Sequence, residues 1–171
     1  LHPRVRRQRQ MCIRDRSDIA VLKQKQDNGA DYIMTQLCWD MEQFKYWLDA
    51  IRKAGITMPV DVGVMPILDQ AATINMALSR NGCVMDHELC KIISQNWLFP
   101  NPFAAKDAEG KPFDMFYEQK VRDFKEAGIE YTIKQIDAYR ALGVNGIHLY
   151  ALNKWQDVSR IIKESGMRTL V

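Results

Sequence analysis

The chain has 171 residues, 47% hydrophobic and 26% charged, which suits one ordinary globular domain and excludes a mini-protein that needs staples. Mean hydropathy is −0.32, and no apolar run approaches the roughly 18 residues of a bilayer span, so no membrane partner is expected. The net charge of +3 misleads: residues 1–16 carry six arginines and one aspartate, while the remaining 155 residues hold 18 Lys+Arg against 20 Asp+Glu.

Taken at face value, the block LHPRVRRQRQMCIRDR is an arm for nucleic acid or an anionic surface. It has neither apolar periodicity nor a helix signal. It is set aside as a non-native arginine-rich tail over 1–16, and no nucleic-acid partner is expected. Native sequence then opens near Ser17, as the C-terminal part of something longer. The four cysteines at 12, 38, 83 and 90 form no CxxC pair. They read as free thiols of a reducing, cytoplasmic compartment, with no apolar leader and no metal site.

The body alternates two kinds of segment. Ser17-Asp18 forms an N-cap pair for a helix carrying Ile19 and Leu22, which Asn28-Gly29 ends. Residues 32–37 form a short apolar strand. Asp40 caps a helix with Phe44, Trp47, Leu48 and Ile51 at helical spacing, closed at Ala54-Gly55. A second strand covers 59–65. Helices are expected over about 69–80 and 86–96, and a long one over about 114–141 with a break near Gly128. The proline-rich stretch 97–113 reads as an insertion. A strand over 146–152 leads to a last helix capped by Asn153.

A glycine ending a helix before an apolar strand recurs at 29–33, 55–60 and 143–148. Strand, helix, strand in this order means right-handed crossovers and a parallel sheet. The fold class expected is α/β. Residues 17–171 read as the C-terminal part of a (β/α)8 TIM barrel with about four βα units, the fourth strand falling near Gly82–Met85.

Barrel sites lie at the C-terminal ends of strands. That rule selects Gln36-Leu37-Cys38-Trp39-Asp40, Gly63-Val64-Met65-Pro66 and Tyr150-Ala151-Leu152-Asn153-Lys154. Alternation puts Met34, Gln36 and Cys38 on one face, and His148, Tyr150 and Leu152 on one face. The Gln36 amide both donates and accepts, which suits a heterocycle such as a pterin; equally, neighbouring backbone satisfies it. Lys154 holds a carboxylate or phosphate, or is simply solvated. Tyr150 stacks on a flat cofactor or packs in the core. Asp40 reads as a cap, and Cys38 and His148 as packing residues. No phosphate loop, HExxH or nucleophile elbow is present, and the residues by themselves name no reaction.

Asp18, Lys25 and the run Gly29-Ala30-Asp31-Tyr32-Ile33-Met34-Thr35-Gln36-Leu37-Cys38-Trp39-Asp40, followed by Gly63-Val64-Met65-Pro66-Ile67 and His148-Leu149-Tyr150-Ala151-Leu152-Asn153-Lys154, together resemble the methylenetetrahydrofolate reductase family. The resemblance implies a (β/α)8 barrel binding FAD. Such an enzyme passes hydride from NADH or NADPH through the flavin to 5,10-methylenetetrahydrofolate, giving 5-methyltetrahydrofolate for methionine biosynthesis. It implies that Gln36 contacts the folate and the nicotinamide. Asp18 and Lys25 would stand near the adenosine and phosphate part of FAD, and Leu152 and Lys154 against the folate substrate. Lys154 replaces a common arginine, which keeps the charge and loses the fork. Further departures are Val62-Gly63 for Pro-Gly, Ala72 for a glutamine and Met76 for a phenylalanine.

The family's general acid is expected in an N-terminal half that precedes these residues, so no catalytic residue is assigned. The residues present would leave two open sheet edges and would be inactive alone. The full-length form is expected to be a homo-oligomer. The alternatives are a non-catalytic folate- or flavin-binding or assembly subunit derived from the same barrel, and another barrel enzyme of one-carbon chemistry.

Overall fold

The computed structural model describes residues 16–79, 83–98 and 116–167. In chain order they form α1 (Arg16–Asp27), β1 (Ile33–Leu37), α2 (Met41–Lys53), β2 (Val60–Val64), α3 (Gln70–Leu78), α4 (His87–Gln95), α5 (Tyr117–Ala141), β3 (Gly146–Leu149) and α6 (Trp155–Glu164). The strands make one parallel sheet in the order β1-β2-β3. Among the described residues β1 and β3 therefore each pair on one side only, and no helix is long and apolar enough to cross a membrane.

Local chemistry explains the boundaries. Gly29, Gly55 and Gly143 close the helices before the three strands with φ of +91°, +75° and +75°, a conformation that side chains disfavour. Three aspartates open helices. Asp40 Oδ1 accepts from Glu42 N and Gln43 N at 3.0 Å, Asp69 Oδ1 from Ala72 N at 2.8 Å, and Asp86 Oδ1 from Leu89 N at 2.7 Å. Each such cap contributes about 1 kcal/mol.

Two apolar clusters hold the unit together. The first buries Val60, Val62 and Val64 of β2 under Trp47 and Ile51 of α2, Ile136 of α5 and Ile161 of α6. The second sits beyond the strand ends, around Leu37, Trp39, Met65 and Ile67, closed by Leu89 of α4 and Phe124 and Tyr131 of α5. Helix α5 serves both. It runs unbroken through Gly128, where a break was expected. The reason for glycine there is close approach: a Cβ would stand 1.9 Å from the Ile67 carbonyl oxygen. One turn on, Thr132 Oγ1 accepts from Ile67 N at 3.1 Å and donates to Gly128 O at 2.7 Å.

Four further expectations need correction. Helix α1 begins by Arg16, so Ser17 and Asp18 lie in its first turn rather than at its cap. Asn153 does not cap α6. It has φ +63°, and the N-cap is Lys154, which makes no side-chain capping bond. Residues 83–86, the described part of the expected fourth strand, form none, and the sheet has three strands among the described residues where about four βα units were expected. Asn145 N bonds Val60 O and Tyr150 N bonds Val64 O, so β2 and β3 are already joined and leave no gap for a strand between them. Finally, β1 is irregular: Met34 pairs with Asp61, but Leu37 pairs with Gly63. Three steps on β1 match two on β2, which reverses the alternation. Cys38 therefore packs toward the first cluster, behind the sheet, and not on the face of Met34. Expectations for the tail 1–16 and the insertion 97–113 lie outside the described residues, apart from the backbone of Arg16 and residues Trp97 and Leu98.

Candidate functional site

Two cavities meet at the end of β1. The larger is a groove of about 790 Å³ between α1, the free edge of β1 and α2. Its walls include Asp18, Lys25, Met34, Gln36 and Tyr46. The smaller, about 180 Å³, lies over the sheet between Gln36, Leu37, Met65, Cys83, Tyr150 and Leu152. Gln36, Leu37 and Cys83 line both.

Asp18 and Lys25 are seven residues apart on α1, two turns on one face. Neither has an ion-pair or hydrogen-bond partner for its side chain among the described residues. Exposed apolar surface lies beside them: Met34 is 56% exposed and Tyr46 68%. Gln36 is exposed too, so its amide is not the buried, backbone-satisfied group that one reading of the sequence allowed. Tyr150 Oη donates to its Oε1 at 3.3 Å, and its Nε2 bonds to no described residue.

Leu152 is 65% exposed and has φ +45°. With Asn153 at +63° it makes two consecutive left-handed non-glycine residues, strain of about 1–2 kcal/mol each. Nothing in the residue types announces that turn. Lys154 follows it but lines neither cavity. Its Nζ lies 3.8 Å from Asp69 Oδ2, so it is drawn toward the start of α3. The five residues thus divide. Asp18, Lys25 and Gln36 share the groove, Gln36 and Leu152 share the small cavity, and Lys154 stands apart.

Other residues hold the end of β1. The Cys38 carbonyl accepts from Gln135 Nε2 at 2.9 Å and from Tyr139 Oη. Tyr131 Oη donates to Asp86 Oδ2 at 3.0 Å. Burial pushes both phenols well above their ordinary range, and at Tyr131 the Asp86 charge adds to it, so both stay neutral. The buried Gln70 side chain donates to Asn96 O at 2.8 Å and accepts from Leu98 N at 2.9 Å, pinning the end of α4. The sequence reading missed these anchors; a polar residue within an apolar helix face, as at Tyr131, Gln135 and Tyr139, is the signal that marks them. Burial pushes the Cys83 thiol up to about 11, which disfavours the nucleophilic thiolate there. Among the described residues no group of three His, Cys, Asp or Glu side chains is placed to hold a metal ion.

Comparison with known proteins bears on the same segments. Residues 2–93, which include β1, β2 and the larger groove, match the family described as methylenetetrahydrofolate reductase. The chain is 28% identical over 146 residues to methylenetetrahydrofolate reductase 1 of Schizosaccharomyces pombe, covering 85% of this chain and 21% of that protein. It is 28% identical over 153 residues to methylenetetrahydrofolate reductase (NADH) 1 of Arabidopsis thaliana, covering 88% and 22%. It is 28% identical over 156 residues to the probable methylenetetrahydrofolate reductase (NADPH) of Caenorhabditis elegans, covering 89% and 20%. The chain spans about a fifth of the length of these curated relatives. Since the matched segment takes in more than half of the residues and the elements that line the groove, the chain belongs to the methylenetetrahydrofolate reductase family.

Proposed function

We propose that this chain is part of a flavin-dependent methylenetetrahydrofolate reductase, with FAD in the larger groove and the folate substrate over the smaller cavity. The observation that carries this reading is that Gln36 belongs to both spaces, with Asp18 and Lys25 around one and Leu152 and Tyr150 around the other. A residue that contacts two ligands in succession belongs at such a junction.

The side chains fit the cofactor. The Lys25 ammonium, unpaired among the described residues, suits a phosphate, and the Asp18 carboxylate suits ribose hydroxyls. The exposed apolar surface of Met34 and Tyr46 suits a flat ring system. FAD, when bound, supplies the hydride chemistry between a reduced nicotinamide and 5,10-methylenetetrahydrofolate; the protein binds, orients and polarises. Gln36 offers its free Nε2 as a donor while Tyr150 fixes the amide by holding Oε1. Leu152 presents an apolar side chain to the folate. Lys154, drawn toward Asp69 and lining neither cavity, would meet a folate carboxylate only by leaving that contact. The relatives' names include both NADH and NADPH, and a reduced nicotinamide is the reductant proposed here.

Titration of FAD into the chain, followed by flavin fluorescence, tests the cofactor half. Saturable quenching is expected, and Lys25→Glu should weaken it. For the substrate half, Gln36→Ala should reduce binding of 5-methyltetrahydrofolate while quenching by FAD persists. Folate affinity unchanged in Gln36→Ala would remove Gln36 from the substrate site.

A further inference from the structure

The open face of the sheet carries a second polar pair that neither the cavities nor the family resemblance accounts for. Asp61 on β2 and His148 on β3 stand diagonally across the central strand pair. Each faces a glycine in register: Asp61 lies opposite Gly146, and His148 opposite Gly63. Both glycines make room. A Cβ on Gly146 would come 3.2 Å from Asp61 Oδ1, and one on Gly63 would come 3.0 Å from His148 Nε2. The two D/G and G/H pairs, Asp61-Val62-Gly63 and Gly146-Ile147-His148, therefore interlock across the ladder.

His148 Nδ1 and Asp61 Oδ1 are 3.6 Å apart. Both atoms are shut off from solvent, and neither has another hydrogen-bond partner. Leaving two buried polar atoms orphaned is costly, and closing the gap by about 0.7 Å to an ordinary N–H···O length satisfies both. A carboxylate can only accept, so the proton of a neutral imidazole must then sit on Nδ1. That leaves Nε2 as a bare acceptor. It bonds to no described residue, lies over Gly63, and neighbours Tyr150, whose ring packs edge-on to the imidazole at 4.9 Å. Tyr150 in turn reaches Gln36.

We infer that Asp61 fixes His148 as the Nδ1–H tautomer, so that Nε2 accepts a hydrogen bond from a ring N–H of a flat heterocycle lying on the open sheet face. The ligand chemistry is a cyclic amide or imide, which a flavin and a pterin share. The inference rests on the proposed function for the identity of the ligand, and on the sheet geometry alone for the tautomer. His148 acts as a binding residue and Asp61 as the positioning residue behind it.

Imidazole ¹⁵N shifts of the ligand-free chain, at about pH 8.5 where histidine is ordinarily neutral, read the tautomer directly. The Nδ1–H form is expected for His148, with a shift toward the Nε2–H form in Asp61→Leu. An Nε2–H form in the unaltered chain overturns the inference. Riboflavin and folic acid are then titrated separately against the unaltered chain and His148→Phe, which keeps a flat ring and removes the acceptor. Loss of about tenfold in affinity is expected, one hydrogen bond's worth. Equal affinities, or no binding of either ligand, overturn the acceptor role. Binding of folic acid without riboflavin would sink the flavin reading and leave this one standing.

Discussion

Gly128→Ala sets two physical rules against each other. Glycine inside a helix costs about 1 kcal/mol relative to alanine, so helix propensity alone predicts a gain. The packing predicts a loss. The new Cβ would stand 1.9 Å from Ile67 O and 2.9 Å from its carbonyl carbon, and a backbone carbonyl cannot rotate away as a side chain can. Helix α5 must retreat by more than about 1 Å to restore normal contact, at an overpacking cost of about 1–3 kcal/mol. The retreat also pulls Thr132 Oγ1 from Ile67 N, now at 3.1 Å, and leaves a buried N–H unpaired at a further ~1–3 kcal/mol. Set against the propensity gain, the net is a loss of about 3 kcal/mol. Urea unfolding followed by circular dichroism reads it. With a slope of about 2 kcal/mol per molar, the midpoint should fall by about 1.5 M. A midpoint equal to or above that of the unaltered chain would refute the close-approach argument.

Stability should decline in alkali. The Cys83 thiol titrates near 11 when folded against 9.0 when free, so its contribution is complete below pH 9 and is lost as pH rises from 9 through about 11. Tyr131 and Tyr139, raised from 10.0, extend the decline beyond pH 10. Urea midpoints at stepped pH should stay level to about 9 and then fall, with the early part removed in Cys83→Ala; a level midpoint to pH 11 contradicts the burial. Peptide-level thiol alkylation at neutral pH should label exposed Cys90 far faster than buried Cys83, and equal rates would contradict the second core cluster. Leu152→Gly relieves left-handed strain and should raise stability by up to about 1 kcal/mol after glycine's own entropic cost while weakening folate binding. Lower stability would show that the exposed side chain packs more than its 65% exposure allows.

The helix–glycine–strand phrase made β1, β2 and β3 legible because each glycine does one local job, closing a helix with positive φ. The Asp40 cap was legible because it too is local; Asp69 and Asp86 cap their helices in the same way, although only the helices themselves were expected there. Features set by distant partners were not legible. Gly128 reads locally as a helix breaker, and only the position of Ile67, 61 residues earlier, shows it to be a contact glycine. The irregularity between Met34 and Leu37 depends on how β1 registers with β2, and it moves Cys38 off the face that alternation assigns. Gln36 was legible from its place at the end of an apolar strand, whereas Asp18 and Lys25 were named only from the resemblance, and the fold sets all three around one groove. Lys154 was named with them, but the left-handed turn at Leu152-Asn153 and the nearby Asp69 lead it elsewhere. The Asp61–His148 pair escaped notice because each residue looks like an isolated polar group until the ladder brings them together.

If the groove along α1 and β1 takes FAD through Lys25, with Gln36 between cofactor and folate, reversing the charge at Lys25 must weaken the cofactor. Fluorescence titration of FAD into the unaltered chain and into Lys25→Glu measures this. Saturable quenching by the unaltered chain and at least tenfold weaker binding by the charge-reversed variant are expected, since a phosphate would then face a carboxylate. Equal affinity in the two proteins, or no quenching by either, would contradict it.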